Sequence, residues 1–318
     1  MTDLSIVVLG GTGMLGHKVF QKLRTSITQT WCVSRRTAVE TCSLAPGLLN
    51  DDRVIYGVDL SNFVSIEAVL SQIRPNVVIN CVGVIKQRAQ ATEAVPSIEI
   101  NSLLPHRLAA ICSKWGGRLI HFSTDCVFSG LRGNYSEDDL PDARDLYGRS
   151  KCLGEILEAP NAITLRTSMI GRELTQFHSL LEWFLAQEGK EITGYTRAIY
   201  SGVTTNYLAS MLVGLIRDFP RLSGLYQISA KPISKYDLLC RLRELYQCDI
   251  GIVPDDKFFC DRSMSGQKFE KTTGYGTPSW RALIEELAND KTPYSTWRKA
   301  ADKRQPDFTL CGDPHIGE

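Results

Sequence analysis

The 318-residue chain carries 36 Lys and Arg against 35 Asp and Glu, a formal net charge of +1, and 43% hydrophobic residues. That composition supports one or two intimately joined domains with a sizeable core, and the charge balance excludes the basic excess of a nucleic-acid or membrane-surface protein. No apolar run reaches the roughly 18 residues that cross a bilayer, and "MTDLSIVVLGG" is too short and uncharged for a signal peptide. Ten cysteines without C-x-x-C spacing and five histidines without an H-x-x-x-H pair predict a reduced, cytoplasmic protein with no metal site.

Taken in chain order, apolar runs at 4–11, 30–36, 54–60, 76–83, 118–125 and 162–168 read as buried strands, with amphipathic stretches such as "GHKVFQKLRTS" and "SIEAVLSQIR" between them. This alternation predicts an α/β fold: a doubly wound, Rossmann-type parallel sheet. After about residue 170 the pattern loosens. The helix "HSLLEWFLAQ", the strand "GLYQIS" and the helix "SKYDLLCRLRELYQC", which Ser234 can cap, predict a smaller C-terminal α/β lobe for substrate. The expected division is 1–168 for the dinucleotide domain, with part of 196–218 returning to it, and 169–290 mainly for the substrate lobe. Residues 291–318 read as a polar, aperiodic surface extension.

Between the first strand and first helix, Gly10, Gly13 and Gly16 form G-x-x-G-x-x-G, a turn that lets backbone N–H groups reach a pyrophosphate. Thr12, Met14 and Leu15 complete the candidate cofactor turn. The second strand ends in Ser34, Arg35 and Arg36, with no acid nearby. Arginines there suit a 2′-phosphate, whereas a carboxylate would suit free ribose hydroxyls, so NADPH is the predicted cofactor. Asp59 and Leu60 after the third strand, and Cys81, Val82 and Gly83 after the fourth, are placed at the same crevice.

The fifth strand ends in Ser123 and Thr124, and "DLYGRSKCLGE" begins a helix with Tyr147 and Lys151 on one face, one turn apart. An adjacent ammonium lowers a phenol's pKa and can bind the nicotinamide ribose. A strand-end hydroxyl can hydrogen-bond a substrate carbonyl while the phenol supplies the proton.

Glycine turn, strand-end threonine and Y-x-x-x-K in this order resemble the extended short-chain dehydrogenase/reductases. "GGTGMLG", "STDCVFSG" followed by "YSEDD", "YGRSKCLGE" and "TLRTSMIG" resemble the dTDP-4-dehydrorhamnose reductase family, over roughly residues 4–290. The resemblance implies NADPH-dependent reduction of a nucleotide-linked 4-keto-6-deoxysugar, with Thr124, Tyr147 and Lys151 as catalytic residues. Tyr147 and Lys151 also touch the cofactor in this reading. Two departures bear on substrate: Cys126 stands where the family commonly has Tyr, and Met169 where it has Trp, a position expected to contact the sugar. Lys86, Thr124, Met169, Arg197 and Arg262 are the substrate candidates, with Arg166 and Tyr200 beside them. GDP-fucose synthases, a sister group, resemble the chain at Cys126 and at His178 in "TQFHSLLEWF", which makes these two a candidate epimerase pair; the alternative is a buried thiol and a helix-start imidazole. A branch that serves as a regulatory subunit resembles the chain too. An NAD-retaining epimerase is disfavoured by "VSRR". Expected partners are a nucleotide sugar and, as the candidate assembly, a homodimer.

Overall fold

The structure, a computed structural model, describes residues 4–27, 29–84, 93–175, 177 and 179–302. Its centre is a seven-stranded sheet in the order Gly224–Gln227, β6 (Ala162–Arg166), β5 (Arg118–Ser123), β4 (Val77–Asn80), β1 (Ser5–Leu9), β2 (Gln29–Val33), β3 (Val54–Ile55). Every pairing is parallel. The sheet is therefore doubly wound, and the strand order reverses between β1 and β4, where a crevice opens at the carboxyl ends. Ile6, Val7, Val8 and Leu9 are all fully buried, because layers cover both faces and a continuous apolar run suits such a strand. Helix α1 (Met14–Ser26) lays Leu15, Val19 and Leu23 against one face and meets the helix Thr205–Asp218 through Leu208, Leu212 and Leu215.

Two segments depart from the sequence reading. "GLYQIS" was expected in the smaller lobe, but Gly224–Gln227 is the seventh strand of the main sheet, in register from Gly224↔Ile163 to Gln227↔Arg166. Its Leu225 and Tyr226 are both buried, so it needs cover on each side and finds it only inside the large sheet. The expected extension is, over its first part, a helix, Tyr294–Asp302. Tyr294 and Trp297 are buried beside Phe20, Leu44, Leu48 and Leu174, and two large aromatics in a polar stretch suffice to dock it.

The smaller lobe is built from short pairings. Glu191–Tyr195 runs parallel to Gly251–Asp255, and Ala198–Tyr200 lies between Ile233–Ser234 and Cys260–Asp261. Ser234 caps the helix Lys235–Tyr246 by accepting from Asp237 N at 3.0 Å, as its position predicts. Among the described residues no helix is long and apolar enough to cross a membrane, and no cluster of ligand side chains could hold a metal ion.

Candidate active site

The turn after β1 brings backbone against backbone. Gly10 is left-handed (φ +80°), and a Cβ on Gly16 would lie 2.1 Å from the Gly10 carbonyl oxygen. Gly11, which the spacing argument passed over, is as constrained: its Cβ would lie 1.8 Å from the Cys32 sulfur on β2. Gly13 N donates to the Gly10 carbonyl at 2.9 Å, and Gly13 is the N-cap of α1 with no side-chain cap. The helix thus begins with bare N–H groups at Met14 and Leu15, suited to an anion. These are the features a dinucleotide's diphosphate requires, and the residues fit it.

Beside this turn, Ser34 is buried and committed internally: its Oγ lies 2.9 Å from Thr41 Oγ1 and accepts from Arg36 N at 3.2 Å. That turn presents Arg35 and Arg36 outward, with exposed Asp59 close enough for Arg35 to bias its charge. Asp59 accepts from Ser61 N at 3.0 Å, which holds its carboxyl below the usual range. Leu60 belongs to the apolar layer below. Cys81, Val82 and Gly83 follow β4; Val82 packs against Gly10, and Val82 N donates to Asn80 Oδ1.

The second half of the site stands on β5 and the helix Leu146–Leu153. Asp145 caps that helix, its Oδ1 accepting from Gly148 N at 2.9 Å. Gly148 allows the helix to approach closely, since a Cβ there would lie 2.2 Å from the Cys126 carbonyl oxygen. Tyr147 is thereby set against the end of β5, near enough to Thr124 for that hydroxyl to act on its phenol, while Thr124 Oγ1 itself donates to Asp125 Oδ1 at 3.0 Å and accepts from Cys126 N at 3.1 Å. Burial pushes the phenol well above its ordinary pKa; nearby Cys126 adds to this and Thr124 opposes it.

Lys151 does not do what the helix spacing suggested. It is 5% exposed, and its Nζ donates to the Phe122 carbonyl at 2.6 Å. Burial lowers its pKa to about 8, opposed by Glu155. The ammonium is thus tied to the backbone below the phenol, and the phenol is raised, not acidified, because its own surroundings are dry. Tyr147 keeps its proton throughout the neutral range.

Under this pair lies a buried ion pair. Glu155 takes a bidentate bond from Arg166, both contacts at 2.7 Å, and accepts from Ser123 Oγ at 2.6 Å; both charged side chains are 3% exposed. Arg166, a substrate candidate by sequence, therefore braces β5 to β6 and stacks 5.2 Å from Phe128. Asn101, in a π-helical turn at Ile98–Leu103, donates to Val84 O at 3.1 Å and Ser150 Oγ at 3.2 Å, and accepts from Val84 N at 2.9 Å. It ties the loop after β4 to the helix of Tyr147.

The smaller lobe contributes Arg262. Its Nε donates to Phe128 O at 2.9 Å, and its Nη1 reaches to 3.9 Å from the Cys126 sulfur. Gly130 and Gly133 are left-handed and leave room for this strand: a Cβ would fall 2.6 Å from Cys260 Sγ and 2.2 Å from Asp261 Oδ2, respectively.

Residues 4–292 match the RmlD substrate binding domain. The chain belongs to that family. It is 26% identical to the dTDP-4-keto-6-deoxy-D-glucose reductase of Streptomyces niveus, over 96% of this chain and 98% of the relative. It is also 26% identical to methionine adenosyltransferase 2 subunit beta of Danio rerio, over 76% of this chain and 73% of the relative. In fold it resembles the dTDP-4-dehydrorhamnose reductase of Bacillus anthracis solved in complex with NADP, with a TM-score of 0.73 at 21% identity, covering 89% and 98% of the two chains.

For this RmlD-family chain, the structure gathers Thr124, Cys126, Tyr147 and Arg262 at one place. It leaves Arg197 exposed, its guanidinium 5.2 Å over Phe259 on the lobe surface. Met169 is half-buried on the short strand Met169–Ile170, paired with Val203–Thr204, and Tyr200 lies near enough to Asp125 and Cys126 to feel their charge. Lys86 and His178 lie outside the described residues. Sequence reasoning missed Gly11, Asn101, Glu155, Gly130 and Gly133. Glu155 had a weak signal, an acid just past the helix of Tyr147 and Lys151; Asn101 had none.

Proposed function

We propose that the chain reduces the 4-keto group of a nucleotide-activated 4-keto-6-deoxysugar, using NADPH. The observation that carries this is the juxtaposition of Tyr147 with Thr124 at the carboxyl end of β5, in the crevice that the bare N-terminus of α1 also faces. Met14 and Leu15 N–H groups would hold the diphosphate, Arg35 and Arg36 the 2′-phosphate, and Lys151 the nicotinamide ribose. NADPH supplies the hydride that converts the keto carbon to an alcohol.

Tyr147 supplies the matching proton. A ketone oxygen arriving beside Tyr147 Oη meets the phenolic O–H and takes its proton as charge develops on it; Thr124 joins as a second donor by turning its hydroxyl away from Asp125 Oδ1. A phenol with a raised pKa stands loaded at neutral pH, so no prior protonation step is needed. Thr124, with one hydroxyl proton to give, holds the substrate oxygen. Arg262 would meet the sugar from the side of the smaller lobe, and the relatives' names, reductases of dTDP-linked keto sugars, point to the same substrate class.

The test is NADPH consumption across a panel of dTDP-, UDP-, GDP- and CDP-linked 4-keto-6-deoxysugars, with wild type beside Tyr147→Phe. Turnover of at least one substrate, lowered roughly 10²- to 10⁴-fold by the substitution with NADPH affinity retained, is expected. Silence across the panel would favour a non-catalytic NADP-binding subunit instead.

A second reading adds epimerisation before reduction. Arg262 Nη1 lies 3.9 Å from the Cys126 sulfur, and a cysteine thiolate is the form able to take a proton from a carbon next to the ketone. Solvent deuterium entering the ring, and vanishing in Cys126→Ser, is the expected signature; an active wild type without exchange would rule it out.

A further inference from the structure

We propose that Tyr294 is a positioning residue for the cofactor diphosphate, acting through His17 on the glycine turn. This rests on the assignment of that turn to a dinucleotide. His17 lies one residue past Gly16, fully buried, and its two ring nitrogens have one partner each. Nδ1 is 2.8 Å from the Gly13 carbonyl oxygen, and Nε2 is 2.8 Å from the Tyr294 hydroxyl. A carbonyl only accepts, so Nδ1 carries the proton. Burial lowers the imidazole pKa to about 4, so the ring is neutral and Nε2 is an acceptor. The direction of the relay follows: the Tyr294 hydroxyl donates to His17, and His17 donates to Gly13.

The consequence lies in one peptide plane. The Gly13 carbonyl and the Met14 N–H belong to the same planar, trans unit and point in opposite directions. Whatever fixes the carbonyl also aims the N–H, and Met14 is the first residue of the uncapped helix. Three hydrogen bonds clamp Gly13: its N–H donates to the Gly10 carbonyl, and its carbonyl accepts from His17 N at 3.1 Å and from His17 Nδ1. Only the last depends on a residue far away in sequence.

Tyr294 is itself held firmly. Its ring meets His17 edge-on with centroids 5.7 Å apart, and the Arg172 guanidinium lies 5.1 Å away over the ring. The Lys18 ammonium is 5.5 Å from the ring centroid and donates to Asp290 at 2.5 Å and Thr292 Oγ1 at 2.9 Å. Trp297 seats the helix one turn on. A contact serving only to fasten the C-terminal helix would need the ring alone; the hydroxyl adds an aim to the phosphate-binding N–H.

The test compares two ligands. NADPH carries the diphosphate, whereas adenosine 2′-phosphate has the adenine and 2′-phosphate but lacks it. Tyr294→Phe should weaken NADPH binding about 5- to 10-fold, leave adenosine 2′-phosphate affinity unchanged, and preserve kcat at saturating NADPH. His17→Gln should do the same and serves if the first variant does not fold. Gln21→Met, which cuts bonds to Lys18 and Thr292 in the same strap but touches neither His17 nor Tyr294, should lower Tm without changing NADPH affinity. Equal weakening of both ligands, or unchanged NADPH affinity in Tyr294→Phe, would overturn the inference. A wild type that does not bind NADPH would remove the cofactor assignment and this inference with it.

Discussion

Replacing Lys151 by Met should make the protein more stable at neutral pH while removing its activity. The ammonium is 5% exposed, and burial lowers its pKa from 10.5 to about 8. At 1.36 kcal/mol per unit, folding with this charge buried costs about 3 kcal/mol. The cost is complete below about pH 8. It is withdrawn between about 8 and 10.5, where the folded state has released the proton and the unfolded chain still holds it. Met fills similar volume without charge, and loses only the bond to the Phe122 carbonyl, about 1 kcal/mol. Urea denaturation near pH 7 should therefore find Lys151→Met about 2 kcal/mol more stable than wild type, with the gap near zero by about pH 10. A variant less stable than wild type near pH 7, or a gap that does not narrow, would refute the reasoning. Such a site trades stability for a cation held beneath Tyr147.

Gly16→Ala would drive a methyl to 2.1 Å from the Gly10 oxygen, so the turn must shift; a displacement worth about 3 kcal/mol weakens NADPH binding about 100-fold in a titration. The double substitution Arg35→Ala, Arg36→Ala should cut NADPH affinity by about 10- to 100-fold and leave NADH affinity nearly unchanged, since only the 2′-phosphate contact is removed. Equal losses for both cofactors would exclude these arginines from that role. Arg166→Met strands the buried Glu155 carboxylate and should lower unfolding free energy by on the order of 3–5 kcal/mol, with Glu155→Met added to it recovering most of the loss. A single-mutant loss below about 1 kcal/mol would mean the pair is not desolvated as its burial implies.

The alternation of apolar runs placed β1 to β6 correctly because parallel strands covered on both faces leave continuous hydrophobic tracts. Glycine spacing and Y-x-x-x-K marked both halves of the candidate site because each is a local constraint. What stayed hidden is what depends on distant pairing. Gly224–Gln227 reads the same as any short buried strand, and only tertiary packing assigns it to the main sheet. Arg166 has the composition of a ligand but lies opposite Glu155, a pairing no spacing along the chain reveals. The Tyr147–Lys151 pairing was legible as geometry on a helix, yet its electrostatic effect was not, because a backbone carbonyl captures the ammonium. Tyr294 and Trp297 sat in a segment whose polar average concealed two anchors.

The main-chain seam between residues 130–135 and 261–265 bears on how the molecule moves while it works. Asp261 N donates to Gly130 O at 2.7 Å, Tyr135 N to Ser263 O at 2.9 Å, and Ser265 N to Tyr135 O at 2.7 Å. A hinge opening wide enough to part the lobes here would have to unzip that stitching on every catalytic cycle. All three bonds run between backbone atoms, so truncating a side chain along the seam leaves them in place.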